Sequence, residues 1–234
     1  MTCDDFLQGL KTEYSFQKLL ADKNGGRAFV VKHKTVGKKM VIHCFNTPVP
    51  VYDMLKMIDF ENLPSVYDTY YFPDGQIVFE EYINGVTVAD VLENGVYTYS
   101  GAAKVISCVC DALSVLHANG FVHRDVKPQN VMISDDSTVK LIDFNAARKY
   151  SRDKNSDTVH FGTVGYASPE QLGLAQSDAR TDIYAVGVLL NVMLTGEHPS
   201  KKLARGRAGR IVLKCTQIDP QKRYKSADEL KFAL

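Results

Sequence analysis

The stretch VHRDVKPQNVMI, residues 122–133, decides the fold. It places an arginine, an aspartate, a lysine and an asparagine within residues 124–130, and apolar residues lie on both sides of them. The apolar neighbours Val122, Val131 and Ile133 would hold the segment against a hydrophobic core. The polar side chains would then be fixed in place, which is the preorganisation that charge stabilisation requires. The stretch therefore predicts a polar functional loop on a buried support.

The composition is that of an ordinary soluble chain. Its 234 residues are 45% hydrophobic and 24% charged, and the formal net charge is +1. This length suffices for one substantial core or for two small lobes. Because the net charge is so small, we expect neither a nucleic-acid partner nor binding to a membrane surface. No run approaches the length of apolar residues that a membrane-spanning helix needs, so no membrane segment is expected.

The cysteines indicate a reducing compartment. There are five, and their number is odd. Their spacings match no zinc pattern, and the N-terminal residues lack the long apolar run of a signal peptide. We therefore expect reduced thiols in a cytoplasmic protein.

The first third of the chain has the pattern of β-strands. AFVVKHKTVGKKMVIHCF, residues 28–45, contains two β-rich runs around a turn and predicts a hairpin. A short helical pattern follows Pro50. VYDTYYF and QIVFEEYI, residues 66–72 and 76–83, then form a second predicted strand pair around the turn Pro-Asp-Gly.

Beyond residues 83–86 the pattern becomes helical. GAAKVISCVCDALSVLHANG, residues 101–120, has helical spacing and ends at Asn-Gly. VMISDDSTVKLIDF, residues 131–144, predicts two short strands, and TDIYAVGVLLNVMLTG, residues 181–196, predicts a helix buried on nearly every side and ended by Gly196. The basic run at residues 201–210 is interpreted as a solvated face.

Further motifs accompany the opening stretch. In chain order they are IDFNAAR at 142–148, FGTVGYASPE at 161–170, TDIYAVG at 181–187 and IDPQKRY at 218–224. This set, with the unbroken H-R-D-x-K-P-x-N motif, resembles the eukaryotic-type Ser/Thr protein kinases, most closely their compact bacterial members. The resemblance implies an α+β, bilobal fold in a single kinase domain at residues 10–234. Residues 10–83 would form a reduced β-rich N-lobe, and residues 84–234 a mainly helical C-lobe.

The resemblance implies roles for the polar residues. Asp125 would accept the proton of the acceptor hydroxyl, and Lys127 would reach the γ-phosphate of ATP. Thr163 would hydrogen-bond the catalytic aspartate and indicates Ser/Thr substrates. Asn130 and Asp143 would bind Mg²⁺, a cation that prefers oxygen ligands.

The resemblance also implies an adenine site. Backbone groups of Glu81, Tyr82 and Ile83 would meet the base, and the gatekeeper position falls on Glu80 or Phe79. Further expected contacts are Val41 above the base, Met132 or Ile133 below it, and Gly26 in the glycine-rich loop.

Other motif residues would have structural roles. Glu170 and Arg223 resemble a buried ion pair, which is mainly costly to break singly. Asp182 resembles the residue that holds the catalytic-loop backbone. His123 and Phe144 are expected to pack rather than to catalyse.

The N-terminal part departs from the family pattern. His43 stands at the position of the strand lysine, and Val51 at that of the helix glutamate, so the charge pair is expected to be missing on both sides. Only one of the loop glycines, Gly26, is present. Lys23 or Arg27 is the expected replacement cation. Asn145 replaces the glycine of D-F-G and is expected to tolerate positive φ there.

The functional prediction is transfer of the ATP γ-phosphate to a protein hydroxyl. The alternative is a catalytically impaired pseudokinase that acts as a binding module with a regulatory protein partner. A small-molecule phosphotransferase is a third reading, against which Thr163 and the segment through Glu170 argue. Phosphorylation is expected at Ser151, Ser156 or Thr158, where a phosphate could pair with Arg124.

Overall fold

The computed structural model describes residues 1–23, 25–150, 163, 165–172 and 177–234, without the side chains of Lys23 and Leu172. The chain divides into two compact units. Unit 1 comprises residues 1–60 and 64–84, and unit 2 comprises residues 61–63 and 85–234.

Unit 1 is built on a five-stranded antiparallel sheet with the strand order β1-β2-β3-β5-β4. The strands are β1 (Tyr14–Lys23), β2 (Gly26–His33), β3 (Lys39–Phe45), β4 (Val66–Phe72) and β5 (Gly75–Glu81). Both predicted hairpins, β2–β3 and β4–β5, are present. The strands are rich in β-branched and aromatic residues, and polar turn residues separate them.

A helix that the sequence analysis did not predict precedes the sheet. Helix α1 (Cys3–Leu10) begins with a capping box, in which Thr2 and Asp5 each accept a hydrogen bond from the other's backbone amide. The Asp74 carboxylate in the β4–β5 turn also accepts a hydrogen bond from the amide of Cys3 at 3.0 Å. Cys3 and Leu7 pack against one face of the sheet. That face is therefore buried under α1.

A second helix follows β3. Helix α2 (Val51–Lys56) begins after Pro50, as predicted, but it is only 6 residues long. Its Asp53 accepts hydrogen bonds from Thr69 and Tyr71, so this carboxylate faces β4.

Unit 2 is mainly helical. Its helices are α3 (Val88–Leu92), α4 (Tyr99–Ala118), α5 (Ala179–Thr195), α6 (Gly206–Cys215) and α7 (Ala227–Ala233). Its short strands are β6 (Gly85–Thr87), β7 (Phe121–Val122), β8 (Val131–Ser134), β9 (Val139–Leu141) and β10 (Arg148–Lys149). Strands β6, β8 and β9 form one small sheet, and β7 and β10 another.

Helices α4 and α5 supply the core of unit 2. Helix α4 buries a stripe of residues that includes Ile106, Val109 and Leu113, and α5 is buried on most of its surface, as its sequence predicted. By length and composition alone, α4 could also cross a membrane, although such a helix is weak evidence for a span because core helices pass the same test. The predicted α+β fold class is confirmed.

Candidate functional site

The loop between β7 and β8 is held by a carboxylate from helix α5. Asp182 is fully buried and accepts hydrogen bonds from the backbone amides of His123 at 2.9 Å and Arg124 at 2.7 Å. Burial opposes the ionisation of Asp182, but the hydrogen bond from His117 and the backbone amides outweigh it and hold its pKa below the ordinary value. The predicted role of Asp182 in supporting this loop is thereby confirmed.

His123 and Phe144 are packing residues, as predicted. Both are fully buried, and their rings meet edge to face with centroids 5.2 Å apart. The Nε2 atom of His123 lies 3.2 Å from the backbone oxygen of Ile142. His123 thus connects the loop to the chain that follows β9.

Three predicted site residues, Lys127 and Asn130 of the loop and Thr163 from later in the chain, surround the carboxylate of a fourth, Asp125. Oδ2 of Asp125 accepts hydrogen bonds from Nζ of Lys127 at 2.6 Å and from Nδ2 of Asn130 at 3.0 Å. Oδ1 of Asp125 accepts a third from the hydroxyl of Thr163 at 2.7 Å. The same hydroxyl accepts a hydrogen bond from Lys127 at 2.8 Å.

This arrangement gives Asp125 a fixed orientation. Three donors on its two oxygens leave the carboxylate little freedom to rotate. The side chains of Asp125 and Lys127 are also shielded from most solvent. The cluster can therefore present an oriented base beside a cation.

Asn130 and Asp143 offer oxygen atoms for a metal ion. The amide nitrogen of Asn130 is used on Asp125, and its side-chain oxygen makes no hydrogen bond with the part of the chain that the structure describes. The backbone oxygen of Asn130 accepts a hydrogen bond from the amide of Ile142 at 2.9 Å, which ties it to the residue before Asp143. An amide oxygen and a carboxylate are the ligand types that Mg²⁺ uses.

The expectation for Asn145 is wrong. The residue with positive φ in this turn is Asp143, at 64°, and the φ of Asn145 is not positive. The amide of Asn145 instead donates to Oδ1 of Asp143 at 3.3 Å. An aspartate tolerates this conformation because its short side chain bonds to the nearby backbone.

In unit 1, the predicted adenine contacts lie along β3 and at the end of β5. Val41 is buried on β3 opposite Glu80, and Glu81 is the last residue of β5. Tyr82 and Ile83 follow directly. Met132 lies in unit 2, on β8, where it pairs with Thr87 of β6.

The sheet register places the two gatekeeper candidates on opposite faces. Phe79 packs in the cluster under α1, together with Ile42 of β3. Glu80 is the neighbour of Phe79 and points to the other face, with Val41 directly opposite. Of the two, Glu80 therefore shares a sheet face with Val41.

Gly26 has a structural reason to be a glycine. Its φ is 147°, and a Cβ at this position would lie 2.1 Å from the backbone oxygen of Cys44 on β3. The close approach of β2 and β3 excludes any side chain here. A contact of Gly26 with phosphate stays a prediction.

The proposal that Arg27 supplies the missing cation is wrong. Arg27 lies opposite Cys44 in the register and forms an ion pair with Asp4 of α1. Because side chains alternate across a strand, this face is opposite to the one that carries Val41 and His43. The side chain of Lys23 lies outside the described structure.

Neither the lysine nor the glutamate of the family's charge pair is present at these two positions, which hold His43 and Val51, as expected. Val51 is indeed a buried apolar residue of α2. However, Nε2 of His43 lies 3.3 Å from Oε1 of Glu80, so the residue at the lysine position has an acidic partner from strand β5. Sequence reasoning considered only the helix as the source of that partner.

A buried ion pair in unit 2 links two segments that are distant in the sequence. Arg223 donates to both carboxylate oxygens of Glu170, at 2.6 and 2.9 Å, and both residues are buried. Gln171, which the sequence analysis did not select, donates to the backbone oxygen of Arg124 at 2.8 Å. Neither its type nor its spacing distinguishes it in the sequence.

The predicted phosphorylation sites Ser151, Ser156 and Thr158 lie outside the described residues. Arg124, their predicted partner, is buried and adopts a φ of 69°.

Comparison with known proteins agrees with this geometry. Residues 16–231 match the protein kinase domain family. The chain is 45% identical over 123 residues to the serine/threonine-protein kinase PknB of Mycobacterium tuberculosis. The aligned region covers 51% of this chain and 20% of that protein. It is 34% identical over 201 residues to PknB of Mycolicibacterium smegmatis, which covers 73% of this chain and 32% of that protein.

A third relative, the probable serine/threonine-protein kinase PknB of Lactococcus lactis, is 34% identical over 140 residues, covering 59% of this chain and 22% of the relative. The chain thus spans between a fifth and a third of the length of these relatives. The matched segment includes the loop, the carboxylate cluster and the buried ion pair. The chain belongs to the protein kinase family and, within it, to the eukaryotic-type Ser/Thr kinases.

Proposed function

We propose that this chain transfers the γ-phosphate of ATP to a serine or threonine hydroxyl of a protein, with Mg²⁺ as the metal. The observation that carries the proposal is the cluster around Asp125. Three side chains, Lys127, Asn130 and Thr163, donate hydrogen bonds to its carboxylate. Phosphoryl transfer depends mainly on positioning and on charge stabilisation, and this cluster offers both.

Each residue of the cluster has a role in the proposed reaction. Asp125 orients the acceptor hydroxyl and takes its proton as the hydroxyl oxygen bonds to the γ-phosphorus. The bond from that phosphorus to the β,γ-bridging oxygen breaks, and ADP leaves. Lys127 is placed beside Asp125 and compensates negative charge on the transferred group. Thr163 holds the side chains of Asp125 and Lys127 in fixed positions relative to each other through its two hydrogen bonds.

Asn130 and Asp143 are the proposed ligands of Mg²⁺. Bound Mg²⁺ would neutralise charge on the phosphate oxygens of the nucleotide. The amide oxygen of Asn130 and the half-buried carboxylate of Asp143 suit this cation. Asn130 would therefore have two roles. Its amide oxygen would bind Mg²⁺, and its amide nitrogen orients Asp125.

Unit 1 is proposed to bind the adenine moiety. Val41 would cover the base, and backbone groups of Glu81, Tyr82 and Ile83 would hydrogen-bond to it. Val41 and Ile83 are buried apolar residues, which supports an apolar base site. A contact of Met132 with the base stays a prediction from the sequence.

The regulatory-module alternative has lost part of its motive. It rested on the absence of both charges at the lysine and glutamate positions. His43 has an acidic neighbour on the sheet, because its Nε2 lies 3.3 Å from Oε1 of Glu80. In addition, the four polar residues Asp125, Lys127, Asn130 and Thr163, here called the transfer cluster, are all present and are joined by hydrogen bonds.

The natural setting is also a proposal. A reducing, cytoplasmic environment for this domain is supported by the five cysteines, which are all free. We expect residues outside the cluster around Asp125 to recognise the protein substrate and any regulatory partner of the whole protein.

The test is phosphate transfer from γ-labelled Mg-ATP to the chain itself and to a generic basic protein. The comparison is with Asp143→Asn, which removes the negative charge of a proposed metal ligand. Glu93→Gln, an exposed carboxylate at the end of α3, is the matched control for loss of one charge. We expect label on serine or threonine in the wild type and in Glu93→Gln, and almost none in Asp143→Asn. Equal labelling by Asp143→Asn, or no labelling by folded wild type, would contradict the proposal.

A further inference from the structure

A strained piece of backbone lies next to the proposed base. Arg124, which directly precedes Asp125, is a non-glycine residue with a positive φ of 69°, and only 2% of its surface is exposed. A residue with a long side chain rarely adopts this conformation, and it persists only where neighbouring groups hold it. The groups that hold Arg124 therefore control the backbone from which the side chain of Asp125 projects.

Arg124 is held at both polar atoms of its backbone. Its amide donates to Oδ1 of Asp182 at 2.7 Å, and its carbonyl oxygen accepts from Nε2 of Gln171 at 2.8 Å. The two contacts act on different peptide units, because the amide belongs to the unit before Arg124 and the carbonyl to the unit after it. Gln171 thus has an effect that Asp182 cannot supply.

The contact of Gln171 acts on the peptide unit between Arg124 and Asp125. Gln171 holds the carbonyl oxygen of this unit, and the N–H of the unit, which belongs to Asp125, donates to Nδ1 of His123 at 3.3 Å. Because a peptide unit is planar, contacts at its two polar atoms fix the direction of the whole plane. The Cα of Asp125 lies in that plane, so Gln171 helps to fix the point from which the carboxylate extends.

The side-chain amide of Gln171 has one orientation that satisfies its neighbours. The residue is 1% exposed, and its Oε1 accepts from the backbone amide of Ser168 at 3.0 Å and from the hydroxyl of Ser168 at 3.2 Å. A backbone amide can only donate and a backbone carbonyl can only accept, so the oxygen of Gln171 must face Ser168 and its nitrogen must face Arg124. Neither an apolar side chain nor an ionised glutamate could make both contacts.

The part of the chain that contains Gln171 reaches the base at a second point. The hydroxyl of Thr163 donates to Oδ1 of Asp125 at 2.7 Å, so Thr163 holds the side chain of the base and Gln171 holds the backbone before it. Glu170, the neighbour of Gln171, is bound in turn by the buried guanidinium of Arg223. Gln171 therefore connects the loop of the transfer cluster to a segment that is itself fixed in the core of unit 2.

These contacts give Gln171 a role in the reaction as well as in the fold. We propose that Gln171 is a positioning residue, which holds the peptide unit before Asp125 and thereby aims the carboxylate at the acceptor hydroxyl. The inference rests on the proposed function, because the aim of Asp125 matters only if Asp125 is the base. Loss of a purely structural glutamine would slow the reaction equally with or without the base. A positioning glutamine acts through Asp125, so its effect disappears when Asp125 is replaced.

The test is a double-variant cycle on the single-turnover rate of γ-phosphate transfer, with saturating Mg-ATP and acceptor protein. The variants are Gln171→Met and Asp125→Asn, alone and combined. Methionine keeps about the length and volume of glutamine but makes neither hydrogen bond. Gln221→Met, the same change at an exposed glutamine of unit 2, is the matched control. Titration calorimetry measures the Kd for ATP of every chain.

We expect Gln171→Met to lower the rate by about tenfold to a hundredfold, because a small misplacement of a catalytic group is costly. In the Asp125→Asn background the same change should alter the remaining rate by less than about twofold, since residues that act as a unit are not additive. The Kd for ATP should be the same in all chains, and Gln221→Met should transfer phosphate at the wild-type rate.

A second variant covers the case in which Gln171→Met does not fold. Gln171→Asn keeps the amide, but its side chain is one methylene too short to span from Ser168 to Arg124. It should slow the reaction as well, and this effect should also disappear in the Asp125→Asn background.

Three outcomes would overturn the inference. An equal rate in wild type and Gln171→Met would show that Asp125 is aimed without Gln171. The same fold loss in both backgrounds would show that Gln171 acts on the structure as a whole, and so would failure of both Gln171 variants to fold. In these cases an active wild type leaves the proposed function intact, whereas a folded wild type that transfers no phosphate would end both.

Discussion

The hydroxyl of Thr163 stands between the two charged residues of the transfer cluster. It donates to Oδ1 of Asp125 at 2.7 Å and accepts from Nζ of Lys127 at 2.8 Å. One side chain therefore fixes the distance between the base and the cation. It also joins the segment that contains residue 163 to the loop at residues 123–130.

Removal of this hydroxyl should lower the turnover rate. In Thr163→Val the shape is kept, but Asp125 and Lys127 each lose a hydrogen-bond partner. We expect kcat to fall by about tenfold to a hundredfold, the equivalent of one or two charge-assisted hydrogen bonds. Thr163→Ser, which keeps the hydroxyl, should retain most of the activity. Steady-state kinetics with saturating ATP measures both, and a fully active valine variant would contradict the role of Thr163.

The ion pair of Glu170 and Arg223 should behave as a unit in stability measurements. Glu170→Gln or Arg223→Met leaves a buried charge without its partner and should lower the free energy of unfolding by about 3–5 kcal/mol. The double variant should recover part of this loss, since no isolated charge remains. Urea unfolding gives the three values. Additive losses in the double variant would show that the two residues do not interact.

Unit 2 should lose stability in acid. Burial opposes the ionisation of Glu170 and of Asp182, but hydrogen bonds from Arg223 and His117 outweigh it, and the pKa of each carboxyl lies below its ordinary value of 4.5 or 3.8. Their contribution is complete above those ordinary values. It is lost as pH falls through the lower values of the folded state, because the unfolded chain takes up protons first.

The measurement for this prediction is the urea midpoint of unfolding at several pH values below about 5, the range in which carboxyl groups titrate. The midpoint should fall with pH in the wild type. In Glu170→Gln it should start lower and fall less steeply, because one of the two carboxyls is absent. An equal slope in both chains would contradict the assignment to Glu170.

Much of the fold and of the transfer cluster could be predicted from the sequence. The elements β2 to β5, α4 and α5 have strong periodicity and clear turn residues, and each was present. Asp125, Lys127, Asn130 and Thr163 lie in contiguous motifs, so their contacts follow once the motifs are identified. Asp182 was likewise predicted to hold the loop and does so.

The parts that could not be predicted depend on sheet faces and long-range pairing. Lys23 or Arg27 was expected to replace the lysine, but alternation along β2 places Arg27 on the α1 side of the sheet, where it pairs with Asp4. Glu80 was considered only as a gatekeeper, because its proximity to His43 depends on the β3–β5 register. Helix α1 could have been found, since Thr2 and Asp5 have the spacing of a capping box.

The contact of α5 with α6 excludes a side chain at Gly187. A Cβ there would lie 2.2 Å from the Cβ of Cys215. Gly187→Ala should therefore destabilise unit 2 by about 1–3 kcal/mol through overpacking. Gly9→Ala is the control, since Gly9 is helical and exposed and its Cβ would meet nothing within 4 Å. It should be neutral or slightly stabilising, because alanine favours the helix.

Thermal unfolding of both alanine variants checks this prediction. A lower Tm in Gly187→Ala and an unchanged or higher Tm in Gly9→Ala are the expected results. If Gly187→Ala were as stable as the wild type, helices α5 and α6 could not approach each other as described.

The central claim is that Asp125 acts as the base of a phosphoryl transfer. The most direct measurement is the single-turnover rate of γ-phosphate transfer by Asp125→Asn, with saturating Mg-ATP and acceptor protein. Asparagine keeps the shape but cannot take a proton, so we expect the rate to fall by about 10²–10⁴-fold, the range of general base catalysis. The Kd for ATP should be nearly unchanged. A rate equal to that of the wild type would contradict the account.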